Sequence, residues 1–236
     1  MISAKGIIFD YGGTIDTNGI HWAEVIWEQY QRADANINKS LFREAYVHGE
    51  RTLAKEPIIK PTHTFHDLLD IKIKIQFSYL LSQGATQFTD SKKANSIIEG
   101  CYSQVLETLK TTCNIVAEVS KNRPTVLVTN FYGNMPVVLK EFSLDKYFDT
   151  VVESSVVGIC KPNPQLFALG VKAIGEAAED ILVIGDSYRK DIAPARSLGC
   201  KAVWLKKICW EEESIEHGKE PTAIIDNLEL LPQIIA

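Results

Sequence analysis

The apolar positions of this chain fall into two patterns. Short apolar runs end abruptly at polar residues: Ile7-Ile8-Phe9 at Asp10, Val126-Leu127-Val128 at Thr129-Asn130, and Val151-Val152 at Glu153-Ser154. The run at 181–184 ends at Gly185-Asp186, and further runs lie at 202–205 and 223–225. Compact, often β-branched runs of this kind predict buried strands. From about residue 110 onward, helix-sized segments separate them. Residues 137–142 place apolar side chains at helical spacing, 164–174 opens with a proline in its first turn, and 192–198 is closed by Gly199. Strand alternating with helix predicts a parallel sheet covered on both faces.

Residues 17–105 have the other pattern. Helical periodicity runs through 20–33, 40–55, 65–82 and 91–109, with Pro57, Pro61 and Gly84 punctuating the gaps. Trp22, Ile26 and Tyr30 stand at i, i+4 and i+8. The expected fold class is α/β: a three-layer Rossmann-like parallel-sheet core with an inserted helical cap. Residues 1–16 would carry the first core strand, 17–105 the cap and 106–236 the rest of the core. A cleft between the two parts is the expected binding place.

Composition narrows the options without redirecting them. The 236 residues are 45% hydrophobic and 23% charged, an ordinary globular balance. Twenty-five Lys and Arg against 30 Asp and Glu leave a net charge of −5 with no long basic run, which argues against nucleic acid as a partner. Five cysteines, an odd number without a C-x-x-C pair, are expected to be reduced thiols in the cytoplasm. The N-terminus lacks a signal-peptide h-region, and no apolar stretch reaches the roughly 18 residues of a membrane span.

Three of the strands end in polar groups, and the C-terminal edge of a parallel sheet is where ligands bind. Asp10 and Asp186 would converge there and repel each other unless a cation or proton lay between them. Hard oxygen ligands favour Mg²⁺. With one carboxylate free to attack, the set suits phosphoryl transfer through an aspartyl-phosphate. Gly12 and Gly13 would let backbone N–H groups approach an anion, and Thr129 and Asn130 would donate hydrogen bonds to it.

Four segments together carry a family resemblance. Asp10-Tyr11-Gly12-Gly13-Thr14-Ile15 resembles the first motif of the haloacid dehalogenase-like hydrolase superfamily, and Val126-Leu127-Val128-Thr129-Asn130 its second. Lys161-Pro162-Asn163-Pro164 with Phe167 resembles the third, and Gly185-Asp186-Ser187-Tyr188-Arg189-Lys190-Asp191 the acidic fourth. Their order fits, with the helical insertion between the first two, and the resemblance spans essentially the whole chain. It implies a Mg²⁺-dependent hydrolase acting on a small phosphorylated metabolite. Asp10 would be nucleophile and metal ligand. Gly12 would lend its backbone carbonyl to the metal, Asp186 a second carboxylate, and Asp191 would complete or orient the site. Thr129 would hold the phosphate and Lys161 would neutralise charge on nucleophile and phosphate.

One position departs from the pattern. Most family phosphatases carry a second Asp two residues after the nucleophile, which protonates the leaving group. Here it is Gly12, and losing such an acid typically lowers rate by ~10²–10⁴-fold. Four readings follow. The protein is a phosphatase whose leaving group is good, such as an anomeric phosphate, or whose proton comes from Asp16 or, less fittingly, His21. It is a dehalogenase, although Asp186 and Asp191 keep a metal-type motif. It cleaves phosphonates with a cap lysine such as Lys55 or Lys60. Or it binds a phosphorylated ligand or a protein partner with little turnover.

Other features are read as structural. His63, His66 and Asp67 suit a helix start better than a second metal site. Trp22, Trp27 and Tyr30 read as cap packing, Glu211-Glu212-Glu213 as a solvated face, and Cys160 as a small buried residue.

Overall fold

The structure is a computed structural model that describes residues 1–211 and 213–236. Six parallel strands form one sheet: β1 (Gly6–Phe9), β2 (Thr125–Thr129), β3 (Thr150–Glu153), β4 (Ile181–Gly185), β5 (Lys201–Leu205) and β6 (Ala223–Ile225). Their spatial order is β3-β2-β1-β4-β5-β6. The first strand is therefore central, with Phe9 in register with Leu127 on one side and Ile184 on the other. The chain winds away from it in both directions, which puts the switch point of the sheet at the end of β1.

Strand periodicity divides the core in two. Ile7 and Phe9 point into one apolar cluster with Leu127, Leu182, Ile184 and Val203, while Ile8 points into the other with Val126, Val128 and Val183. Both faces are dry, which is why the strands read as continuous apolar runs rather than as alternation.

The inserted helices are α1 (Trp22–Arg32), α2 (Lys39–Lys55), α3 (Phe65–Ser82) and α4 (Ser91–Ser120). Each start has its own cap. The His21 side chain accepts from Ala23 N–H, Asn38 from Leu41 N–H, and Thr64 with Asp67 forms a reciprocal capping box. The remaining helices are α5 (Met135–Glu141), α6 (Ser154–Val157), α7 (Gln165–Ile174), α8 (Ala193–Ser197) and α9 (Leu231–Ile234). A π-helical turn, Tyr188–Ile192, precedes α8, which lies within the expected 192–198 helix.

The largest departure from expectation is α4. It runs unbroken through residue 105, so the expected end of the insertion falls inside one 30-residue helix. Its first half packs on α1 and α3, and Thr112 in its second half donates to the Ile15 carbonyl at 2.8 Å, beside the first strand. No helix among the described residues is long and apolar enough to cross a membrane.

Candidate active site

Asp10 follows the central strand and is 5% exposed. Its Oδ1 receives a hydrogen bond from Lys161 Nζ at 2.6 Å, and the same ammonium reaches Asp191 Oδ1 at 2.7 Å. The Thr14 hydroxyl lies 3.2 Å from Asp10 Oδ2 and 3.3 Å from Asp186 Oδ1. Three separate segments thus meet at one point: the turn after β1, the loop before α7 and the turn after β4. The lysine is held there from behind. Asn130 accepts from Lys161 N–H at 2.9 Å and donates to the Lys161 carbonyl at 3.2 Å. The Asn130 amide is therefore engaged with the lysine backbone, whereas the sequence suggests a phosphate donor. Thr129 ends β2, buried, at the cavity wall.

Charge at this floor is unbalanced. Asp10, Asp186 and Asp191 offer oxygens within 4.8 Å of one another, with Lys161 as their paired cation. Burial, with the Asp10 and Asp191 charges added, pushes the Asp186 carboxyl well above its ordinary range. Burial likewise raises Asp191, to about 6, against the pull of Lys161. Burial alone would lower the Lys161 ammonium, but Asp10 and Asp191 outweigh it and hold it above its usual value. A hard, all-oxygen donor set with surplus negative charge fits a divalent cation such as Mg²⁺. The backbone is cut to this crowding. At Gly13, φ is +95°, and an added Cβ would stand 2.3 Å from Asp186 Oδ2.

Asp16 occupies a different place from the one its sequence position suggests. It is 1% exposed, and its two oxygens accept from Gly13 N–H at 2.7 Å and Trp22 Nε1–H at 2.9 Å. The cavity is lined by Gly12, Gly13 and Trp22 but not by Asp16, which braces their loop from beneath. Burial pushes its carboxyl up to about 7 against those two hydrogen bonds. His21 does line the cavity, but burial lowers its imidazole to about 4 and its Nδ1 caps α1, so it is neutral near pH 7. At Gly12 there is open room: an added Cβ would have the Trp22 indole, 3.9 Å away, as its neighbour.

The cavity over Asp10 measures about 470 Å³. Its roof contains residues that the sequence reading missed. Glu50 on α2 and Lys72 on α3 form an ion pair at 2.7 Å, and Tyr132, beyond β2, donates to Glu50 Oε2 at 3.0 Å. Lys72 is 7% exposed. The signal was present: Lys72 interrupts the apolar face of α3 between Leu68, Leu69 and Ile73. Trp22 also faces the cavity rather than only packing. Lys55 and Lys60 are exposed and outside the cavity wall. His63 Nδ1 accepts from Lys60 N–H and His66 pairs with Glu99, so with the Asp67 capping box that trio serves a helix start. Cys160 is exposed, not buried. Glu213 is no solvated residue, since it accepts from Ser187 Oγ, Tyr188 N–H and Arg189 N–H; Glu212 lies outside the described residues.

A family model described as haloacid dehalogenase-like hydrolase matches residues 4–199, and the chain belongs to that family. It is a family of hydrolases, and the relatives of this chain include proteins named phosphatases. The glyceraldehyde 3-phosphate phosphatase of Pyrococcus furiosus is 30% identical over 92 residues, covering 39% of this chain and 38% of that one. The phosphoserine phosphatase of Thermus thermophilus is 41% identical over 64 residues, covering 27% and 26%. The matched stretches thus span well under half of these relatives. The HAD-hydrolase YfnB of Bacillus subtilis, solved bound to magnesium, superposes with a TM-score of 0.60 at 16% identity over 98% of both chains, a likeness of fold.

Proposed function

We propose that this chain is a Mg²⁺-dependent phosphatase acting on a small, soluble organic phosphate through an aspartyl-phosphate at Asp10. The observation that carries the reading is Asp10 itself. Lys161 fixes one of its oxygens and Thr14 lies beside the other, at the foot of a cavity large enough for a phosphate and more. Asp10, Asp186 and the Gly12 carbonyl would hold Mg²⁺, with Asp191 orienting the site. Bound there, the metal supplies charge neutralisation for the phosphate oxygens. Asp10 attacks phosphorus, the bond to the leaving oxygen breaks, and water then cleaves the acyl phosphate. Lys161 and Thr129 steady the phosphate, and Gly12 and Gly13 leave room for its approach.

With Gly12 in place of an acid and Asp16 turned under the loop, the leaving oxygen departs without a positioned proton. That favours leaving groups stable as anions, such as acyl phosphates and anomeric sugar phosphates. The inserted helices act as the cap that screens the site from water. Five cysteines, an odd number without a C-x-x-C pair, suit a reducing cytoplasm.

The test is phosphate release from acetyl phosphate and a panel of sugar phosphates, with Mg²⁺ or with chelator, for wild type and Asp10→Asn. Turnover that needs both Mg²⁺ and Asp10 is expected. Folded protein that binds phosphate and releases none would overturn catalysis. It would favour the second reading, a phospho-ligand binder, which Gly12 motivates, and would make haloacids and phosphonates the next panel.

A further inference from the structure

We propose that Glu50, Lys72 and Tyr132 recognise the leaving-group half of the substrate and select a neutral, polyhydroxylated group over an anionic one. The proposal rests on the phosphatase reading of Asp10. All three side chains line the cavity that Asp10 and Lys161 floor. Two come from facing inserted helices, and the third stands two residues past Asn130. The group thus spans the space between the inserted helices and the sheet edge.

A buried ion pair rarely stabilises a protein more than apolar residues of the same size would. Lys72 nevertheless takes an apolar-face position on α3, and it points at open cavity rather than into sealed core. Its charge is balanced there by Glu50, 2.7 Å away, while the Tyr132 hydroxyl binds the other carboxylate oxygen. A substrate carboxylate approaching Lys72 would meet Glu50 at nearly the same distance. At the pair itself attraction and repulsion would largely cancel, with Lys190 on the cavity wall acting on Glu50 as well, and the lost water would find no dedicated partner there. A hydroxyl fits without disturbing the pair. It accepts from a further N–H of the ammonium and donates to a free lone pair of the carboxylate. A zwitterionic head group would have to pull the pair apart to be bound. The surrounding walls suit the carbon faces of such a substrate, since Trp22, Phe65, Phe131 and Tyr46 contribute rings.

The test uses two substrates with the same anomeric leaving oxygen, α-D-glucose 1-phosphate and α-D-glucuronic acid 1-phosphate, which differ by a hydroxymethyl against a carboxylate. The readout is the ratio of their kcat/KM values within each protein, so that any general loss of activity divides out. Wild type is expected to prefer glucose 1-phosphate by at least about tenfold, the scale of one charged hydrogen bond. Glu50→Gln strips the balancing charge from Lys72. It should lower the ratio by about tenfold or more, mainly through a smaller KM for the acid. The double variant Glu50→Leu/Lys72→Met removes the pair without orphaning a charge and should bring the ratio towards unity through loss of glucose 1-phosphate turnover. A wild-type ratio near one, a preference for the acid, no turnover of either sugar, or a ratio unmoved in both variants would overturn the proposal. Acetyl phosphate separates the two failures. If wild type hydrolyses it with Mg²⁺ while the ratio fails, the recognition site is refuted and the phosphatase reading stands. If folded wild type does not hydrolyse it, the phosphatase reading fails and this inference with it.

Discussion

Two of the lysines that line the cavity, Lys161 and Lys72, are answered in different ways. At the floor, Lys161 bridges Asp10 and Asp191, with Asp186 close by, so three carboxylates meet one ammonium. At the roof, Lys72 pairs with Glu50, and Tyr132 completes the carboxylate. That pair is matched charge for charge. The floor is not: two of its carboxyls are driven upward by burial and by the Asp10 charge, the mark of a site that needs protons or a metal to be at rest. One part of the cavity is built to gather charge and the other to stay indifferent to it.

That contrast can be broken experimentally. Asp10→Asn should abolish turnover, by about 10⁴-fold or more as for other covalent nucleophiles, with the fold intact by circular dichroism. Lys161→Met should lower kcat by roughly 10²–10³-fold. It should also cost about 3–5 kcal/mol of stability, because two buried carboxylates lose their partner. Lys72→Met should cost visibly less, since Glu50 is about a third exposed and keeps the Tyr132 hydroxyl. Equal losses in thermal melts would erase the distinction between floor and roof. Gly12→Asp tests the missing acid from the other side. The space beside Trp22 accepts a side chain, and turnover of an alkyl phosphate should rise by about 10²-fold. Mg²⁺ at a hundredfold excess over its Kd should stabilise wild type by about 2.7 kcal/mol and leave Asp186→Asn nearly unmoved.

The smallest expected effect concerns Asp16. Its carboxyl is raised from 3.8 to about 7 by burial. The folded chain therefore holds this proton more tightly than the unfolded chain does. Its contribution to stability is fully present below about pH 4 and is lost as pH rises towards 7. Asp16→Asn should flatten the fall in stability across that window, as read by denaturant melts at pH 5 and pH 8. An unchanged slope would remove Asp16 from the titration.

Most of the architecture was legible because the strands are short apolar runs ending at polar residues, a signal that needs no tertiary information. The floor was legible for the same reason, with Asp10, Thr129 and Asp186 each closing a strand. The far half of α4 was not. Thr111, Thr112, Cys113 and Asn114 are weak helix formers and lie past the 91–109 stretch whose periodicity marks it as helix. In the fold, the Thr112 hydroxyl is satisfied by the Ile15 carbonyl, a contact from 97 residues away. Asp16 takes its partners beneath the loop, from Gly13 N–H and the Trp22 indole, a pairing that sequence alone cannot assign. Glu213 accepts from the turn at Ser187 across 26 residues of sequence, a pairing no local signal marks. Lys72 was visible as a charge on an apolar stripe, but lysines on helices are solvated so often that the exception passed unmarked.

The unbroken run of α4 gives the molecule a property that two parts joined by a loop would lack. Thirty residues make a rod of about 45 Å, and the rod enters the roof at one end and delivers the chain to β2 at the other. Aim is then a matter of counting. A single residue inserted in its second half would turn the helices packed on its first half by about 100° relative to the sheet and shift them by about 1.5 Å. Glu50 and Lys72 would then face away from Asp10 although no residue of either site had changed. Chimaeras that trade the helices of this chain for those of a relative must therefore be spliced in whole turns.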